Sequence, residues 1–152
     1  MTDNIILGQK GETLALQHLE TQGLKILAQN WRTSRAEVDI IAQEGNIIVF
    51  VEVKTRSSDR FGPPEFFVTH QQKRMLAGAA SVYCEQIEHP GEIRFDVVSI
   101  ILRDDGKAKL EYLRDAFWPG LWTSFDFAQR PQPTNPRTLE PSNPRTPEPP
   151  NP

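Results

Sequence analysis

Apolar residues recur at helical spacing over residues 11–22, where Leu14, Ala15 and Leu19 fall on one side and Gly23 supplies a stop. The period then shortens. Residues 24–31 read as a strand, and alternation over residues 37–42 predicts a second, with Val38, Ile40 and Ala42 on one face. Gly45-Asn46 is a hairpin signal, and residues 47–54 form a β-branched run that predicts a third strand. Thr69, with Gln72 three residues on, has the form of a capping box and opens a helix. Its apolar stripe is Leu76, Ala79, Ala80, Tyr83 and Ile87, and Pro90 marks its end. Residues 93–102 read as a strand that Asp104-Asp105-Gly106 turns into a last one at residues 109–113. The order is helix, three strands, helix, two strands, an α/β pattern. The aromatic stretch Trp118, Trp122, Phe125 and Phe127 is expected to pack back on this body; a sticky exposed surface is the other reading.

Composition divides the chain. Hydrophobic residues make up 38% of its 152 residues, below the ~45–50% of ordinary soluble domains. The deficit is local: nine of the 22 residues from 131 to 152 are proline, and Leu139 is the only large apolar residue among them. Asn135-Pro-Arg-Thr-Leu-Glu-Pro-Ser142 is repeated, with changes, as Asn143-Pro-Arg-Thr-Pro-Glu-Pro-Pro150. A polar, proline-rich repeat of period eight buries no face and cannot offset the entropy of ordering. Residues 131–152 are therefore expected to be a disordered tail of polyproline II character, and residues 1–130 the folded domain. Pro141-Ser-Asn-Pro144 and Pro144-Arg-Thr-Pro147 have the spacing of ligands for a proline-recognising partner, although a solvated appendage explains them as well.

Several classes drop out. The longest aliphatic or aromatic run, residues 47–51, is far too short for a membrane span. Asp3 and the lack of a positive charge before Lys10 do not fit a secretory signal, so a cytoplasmic location is expected. One cysteine, Cys84, permits no internal disulfide or cysteine zinc cluster, and His18, His70 and His89 lack zinc-ligand spacing. Any metal should then be held by oxygen, which favours Mg²⁺ or Mn²⁺.

Polar residues interrupt the two central apolar strands at defined places. Residues two apart in a strand share a face, so Glu37 points with Asp39, and Glu52 with Lys54. A two-residue loop at Gly45-Asn46 sets Asp39 opposite Glu52 and Glu37 opposite Lys54, with opposed Cβ atoms ~4.5–5.5 Å apart. Facing carboxylates repel unless a cation lies between them. A divalent ion held by Asp39 and Glu52, with Lys54 beside it to position a water or offset developing charge, suits phosphodiester hydrolysis. An ordinary salt-bridged surface hairpin would carry the same letters.

Asp39 followed by Glu52-Val53-Lys54 resembles the PD-(D/E)xK nuclease motif, and the element order resembles the restriction-endonuclease-like core, a central mixed sheet flanked by helices. More closely, the chain resembles the YraN-like family of bacterial proteins, which are similar to archaeal Holliday-junction resolvases. The matching pieces are Gly11-Glu12, Asn30-Trp-Arg32, Glu37-Val-Asp-Ile-Ile41, Phe50-Val-Glu-Val-Lys-Thr-Arg56, Gly62-Pro63, Lys73, Arg94-Phe-Asp-Val-Val98 and Ala116-Phe117. They run from about residue 8 to residue 117. The resemblance implies a metal-dependent nuclease-like domain with a nucleic-acid partner, a homodimer, and Glu12 joining Asp39, Glu52 and Lys54 at the site. Ala36 departs from the family's usual glycine before Glu37, which leaves the entry to that strand open.

Glu12 also suits the dipole of a helix's first turns without any site. Residues 54–74 carry a net charge of +3 within a chain of −3, and Arg56, Arg60, Lys73 and Arg74 are the candidate phosphate contacts. A solvated charged face is the other reading of each. Phe66 or Phe67 could stack on a base, and Trp31 and Arg32 could touch nucleic acid, but packing accounts for the aromatics more simply. Arg94 and Asp96 share a strand face and suit a structural ion pair; Cys84 suits a core filler. Three functions compete: a Mg²⁺- or Mn²⁺-dependent endonuclease on DNA, branched or damaged substrates included; a non-catalytic nucleic-acid-binding module of the same fold; and an adaptor that works through the proline-rich tail.

Overall fold

The computed structural model describes residues 2–58 and 68–118. Its elements are α1 (Thr2–Thr21), β1 (Lys25–Arg32), β2 (Glu37–Glu44), β3 (Ile47–Arg56), α2 (His70–Gln86), β4 (Ile93–Leu102) and β5 (Ala108–Leu113). Arg60, residues 61–67 with Phe66 and Phe67, Trp122, Phe125, Phe127 and residues 131–152 lie outside the described residues.

The five strands form one sheet in the order β1-β2-β3-β4-β5. Every neighbouring pair is antiparallel except β3 and β4. Parallel neighbours need a crossover, and α2 supplies it. β3 and β4 are therefore covered on both faces, which is why each carries apolar residues on both sides, interrupted by Glu52 and Lys54 on β3 and by Arg94, Asp96 and Ser99 on β4. On one face Ala15 and Leu19 of α1 pack with Ile40, Ala42, Val49, Val51, Val98 and Ile100. On the other, Leu76, Ala79, Ala80 and Tyr83 of α2 pack with Val38, Ile41, Phe50, Phe95 and Val97. An α/β body with a mixed central sheet flanked by helices is compatible with a nuclease-like core.

Local signals place most boundaries. Gly45, at φ +58°, makes the two-residue turn between β2 and β3. Ile40 stands opposite Val51 and Glu44 opposite Ile47, the register that this turn dictates. At α2 the Thr69 side chain accepts from Gln72 N–H while the Gln72 side chain accepts from Thr69 N–H.

Three expectations are corrected. α1 begins at Thr2 rather than Gly11, because its first turns run past the core with Ile5 and Ile6 exposed and so show no apolar stripe. Ile87 is exposed; at the C-cap it has already left the helix and its stripe. Val38 does not share a face with Ile40 and Ala42 but packs on the α2 side. The reason lies in β1. Gln29 pairs with Ile40 and Trp31 with Val38, while the intervening Asn30 and Asp39 form no ladder pair. Asn30 has φ +48°, a left-handed conformation that asparagine tolerates better than most residues. This half-turn carries Trp31 and Val38 together to the α2-side core.

Candidate functional site

Asp39 lies where β2 parts from β3. The β2–β3 ladder runs from Glu44↔Ile47 to Ile40↔Val51 and goes no further. On its other side Asp39 lies opposite the left-handed Asn30. Its carboxylate takes up the backbone donor left beyond the ladder, with Oδ2 accepting from Val53 N–H at 2.8 Å.

Glu52 and Lys54 flank Val53 on β3, as alternation predicts, and Lys54 Nζ is 3.1 Å from Glu52 Oε1. Both side chains are mostly buried, Glu52 at 13% exposure and Lys54 at 21%. Glu12 comes from α1. The helix approaches β3 this closely because the preceding residue is glycine: a Cβ on Gly11 would overlap Thr55 Oγ1 and stand 2.9 Å from Thr55 Cβ. Gly11-Glu12 is thus a close-approach position followed by an acid whose charge reaches Asp39.

These neighbours govern the protonation of Asp39. Burial, the Glu52 charge and the Glu12 charge raise its carboxyl from 3.8 to about 7, against the opposing Val53 N–H bond. The assembled group is therefore a buried carboxyl, Asp39, crowded by the Glu52 and Glu12 charges, with the Lys54 ammonium beside Glu52. Among the described residues, no three His, Cys, Asp or Glu side chains are grouped closely enough to hold a metal ion.

The other candidate residues are dispersed. Glu37 does not meet Lys54; it is on the exposed side of the twisted ribbon and pairs with Arg32 of β1 at 3.0 Å. Ala36 needs no left-handed backbone, and it packs against the α2-side core. Thr33 closes its turn, accepting at Oγ1 from Ala36 N–H and donating its own N–H to Ala36 O. Trp31 is a packing residue, meeting Tyr83 edge-on with ring centroids 5.3 Å apart. Arg56 is half-buried at the end of β3, and Arg74 is exposed on α2. Lys73 Nζ sits 5.3 Å from the Phe117 ring centroid, over a ring that stacks on Phe95.

A second polar group is larger than the sequence indicates. Arg94 makes a two-pronged ion pair with the fully buried Asp96, at 2.8 and 2.9 Å, and reaches Glu44 at 2.6 Å. Tyr112 O–H and Asp115 N–H also donate to Asp96, and Arg114 donates to Glu44. Burial alone would raise the Glu44 carboxyl, but the two guanidiniums hold it below its usual value. This network joins β2, β4 and β5 with its charges matched, and it has the character of a structural tie. Spacing on one strand showed only its Arg94–Asp96 member.

A family model described as "Uncharacterised protein family UPF0102" matches residues 11–100. A UPF0102 protein of Christiangramia forsetii is 43% identical over 118 residues, which is 78% of this chain and 98% of that protein. One from Thermodesulfovibrio yellowstonii is 42% identical over 114 residues, covering 75% and 97% of the two chains. One from Rhodococcus opacus is 42% identical over 118 residues, covering 77% and 100%.

Proposed function

The chain belongs to the UPF0102 family, and we propose that it is a metal-dependent endonuclease that hydrolyses phosphodiester bonds in DNA, branched or damaged DNA included. The observation that carries this reading is the Asp39 carboxyl, buried against Glu52 and raised to about 7 at the point where β2 leaves β3. A buried carboxyl that resists ionisation beside a second carboxylate is poised for a cation. The donors are oxygens, which suits Mg²⁺ or Mn²⁺. Asp39 and Glu52 would hold the ion, with Glu12 as an outer contact. When bound, such an ion supplies Lewis acidity to a phosphate oxygen and to a water.

The chain's own groups account for the rest. Val53 N–H fixes the orientation of Asp39. Lys54 pairs with Glu52 at rest, and in the reaction it would orient the attacking water and offset the charge that develops on the phosphate. The apolar residues packed around β3 keep bulk water from screening these charges. The resolvase resemblance adds a homodimer, since a two-fold enzyme suits a two-fold junction.

The decisive assay follows cleavage of linear, nicked, flapped and four-way DNA with Mg²⁺ and with Mn²⁺, beside an EDTA control and the Lys54→Ala protein. Metal-dependent cleavage that falls by orders of magnitude in Lys54→Ala is expected. The second reading, a non-catalytic nucleic-acid-binding module, is favoured by the lack of a three-carboxylate group among the described residues. DNA binding without cleavage under either metal would establish it instead.

A further inference from the structure

The β1–β2 ribbon continues past the point where β2 leaves β3. Its last pairs are Trp31↔Val38 and Arg32↔Glu37, whereas the β2–β3 ladder has already ended at Ile40↔Val51. The projecting end is held firmly. Asn30 sets its twist, Trp31 and Val38 seat it on the α2-side core beside Tyr83, and Thr33 closes its turn. The register places this end on the same side of the sheet as Asp39 and Glu52.

Cations occupy the end of this ribbon. Arg35 is exposed at the turn and, among the described residues, makes no ion pair. Arg32 is 73% exposed, and its partner Glu37 is 38% exposed. An ion pair this open contributes little and is readily exchanged for another anion. We propose that the projecting end of the β1–β2 hairpin is a phosphate-contact arm, with Arg35 at its tip and Arg32 behind it, for the DNA strand that enters the Asp39–Glu52–Lys54 site. Glu37 is the resident anion that Arg32 gives up when phosphate arrives. Arg35 lies in the turn, four positions before Asp39, so at most about 13 Å of chain separates them. At ~3.4 Å of helix axis per phosphate along one strand, the arm grips the backbone within about four nucleotides of the reacting bond. The position of the arm relative to the reacting bond rests on the nuclease reading; phosphate contact by the arm does not.

The test is equilibrium binding of labelled duplex and four-way-junction DNA, in EDTA and in Ca²⁺, across a salt series. Arg35→Ala should bind several-fold more weakly, with the slope of log affinity against log salt reduced by about one. Arg32→Ala should weaken binding in the same direction. Glu37→Gln should bind more tightly, because it frees Arg32. Lys109→Ala removes an equal charge from the exposed β5 edge at the far side of the sheet and should bind as wild type does. The arm is overturned if Arg35→Ala matches wild type in affinity and slope, if Lys109→Ala loses as much as Arg35→Ala, or if wild type binds no DNA. Wild type that grips DNA through Arg35 yet never cleaves it removes the nuclease reading and keeps the arm. Wild type that cleaves DNA while Arg35→Ala binds normally does the reverse.

Discussion

Replacing Asp39 with asparagine removes one charge from the buried acid pair while keeping its shape, and the Asn Oδ1 can still accept from Val53 N–H. In wild type, burial, Glu52 and Glu12 push the Asp39 carboxyl from 3.8 to about 7. Between those values the folded protein keeps a proton that the unfolded chain has released. Wild-type stability is therefore undiminished below the unfolded value, falls as pH rises toward the folded value, and levels off above it. At about 1.36 kcal/mol per pH unit, the interval from 3.8 to about 7 corresponds to about 4 kcal/mol. Asparagine cannot ionise and escapes this loss. Without metal, Asp39→Asn should match wild type near pH 4 and exceed it by up to about 4 kcal/mol near pH 8. Urea unfolding of both proteins in EDTA across this range measures the gap. A difference that does not grow with pH would refute the reasoning, because it would mean that Asp39 titrates alike in the folded and unfolded states. Saturating Mn²⁺ should then reverse the order at high pH, since only wild type gains the binding term RT ln(1 + [Mn²⁺]/Kd).

Gly11→Ala should destabilise the protein: the overlap with Thr55 costs about 1–3 kcal/mol against a helix-propensity gain of up to about 1 kcal/mol. Adding Thr55→Gly removes the atoms that the new methyl meets, so a double-mutant cycle by urea unfolding should show favourable coupling of about 1 kcal/mol or more. Arg94→Ala leaves the Asp96 carboxylate buried without its guanidinium and should cost about 3–5 kcal/mol in the same assay. Truncation after Arg130 should leave the melting temperature nearly unchanged, and a large drop would show that the proline-rich tail packs on the body.

The parts legible in the sequence are those governed by short-range rules. Gly45-Asn46 and the alternation on either side fix the β2–β3 register, and Thr69 with Gln72 fixes the start of α2. The same rules misplace Val38 and Glu37, because both depend on a single left-handed residue on the neighbouring strand. Asn30 is the available signal, an asparagine inside a strand, but its consequence appears only after β1 is paired with β2. The Arg94 network lies further out of reach. Its Glu44 partner is 50 residues away in the chain, and the two meet only because β2, β3 and β4 are adjacent.

The ladder's end is also what creates the acid pair. Had β2 stayed hydrogen-bonded to β3 beyond Ile40, a carbonyl of β2 would occupy the place now held by the Asp39 carboxylate. Parting the strands leaves a backbone donor, and Asp39 fills that gap beside Glu52. Twist at Asn30 on one side and departure from β3 on the other thus act on the same residue. An acid stands at position 39 despite burial and the repulsion of Glu52 and Glu12. Hydrogen bonding to Val53 alone would be served equally well by asparagine. Nothing in the fold therefore asks for an ionisable group at position 39 in place of asparagine, which supports the cation proposed at the break in the sheet.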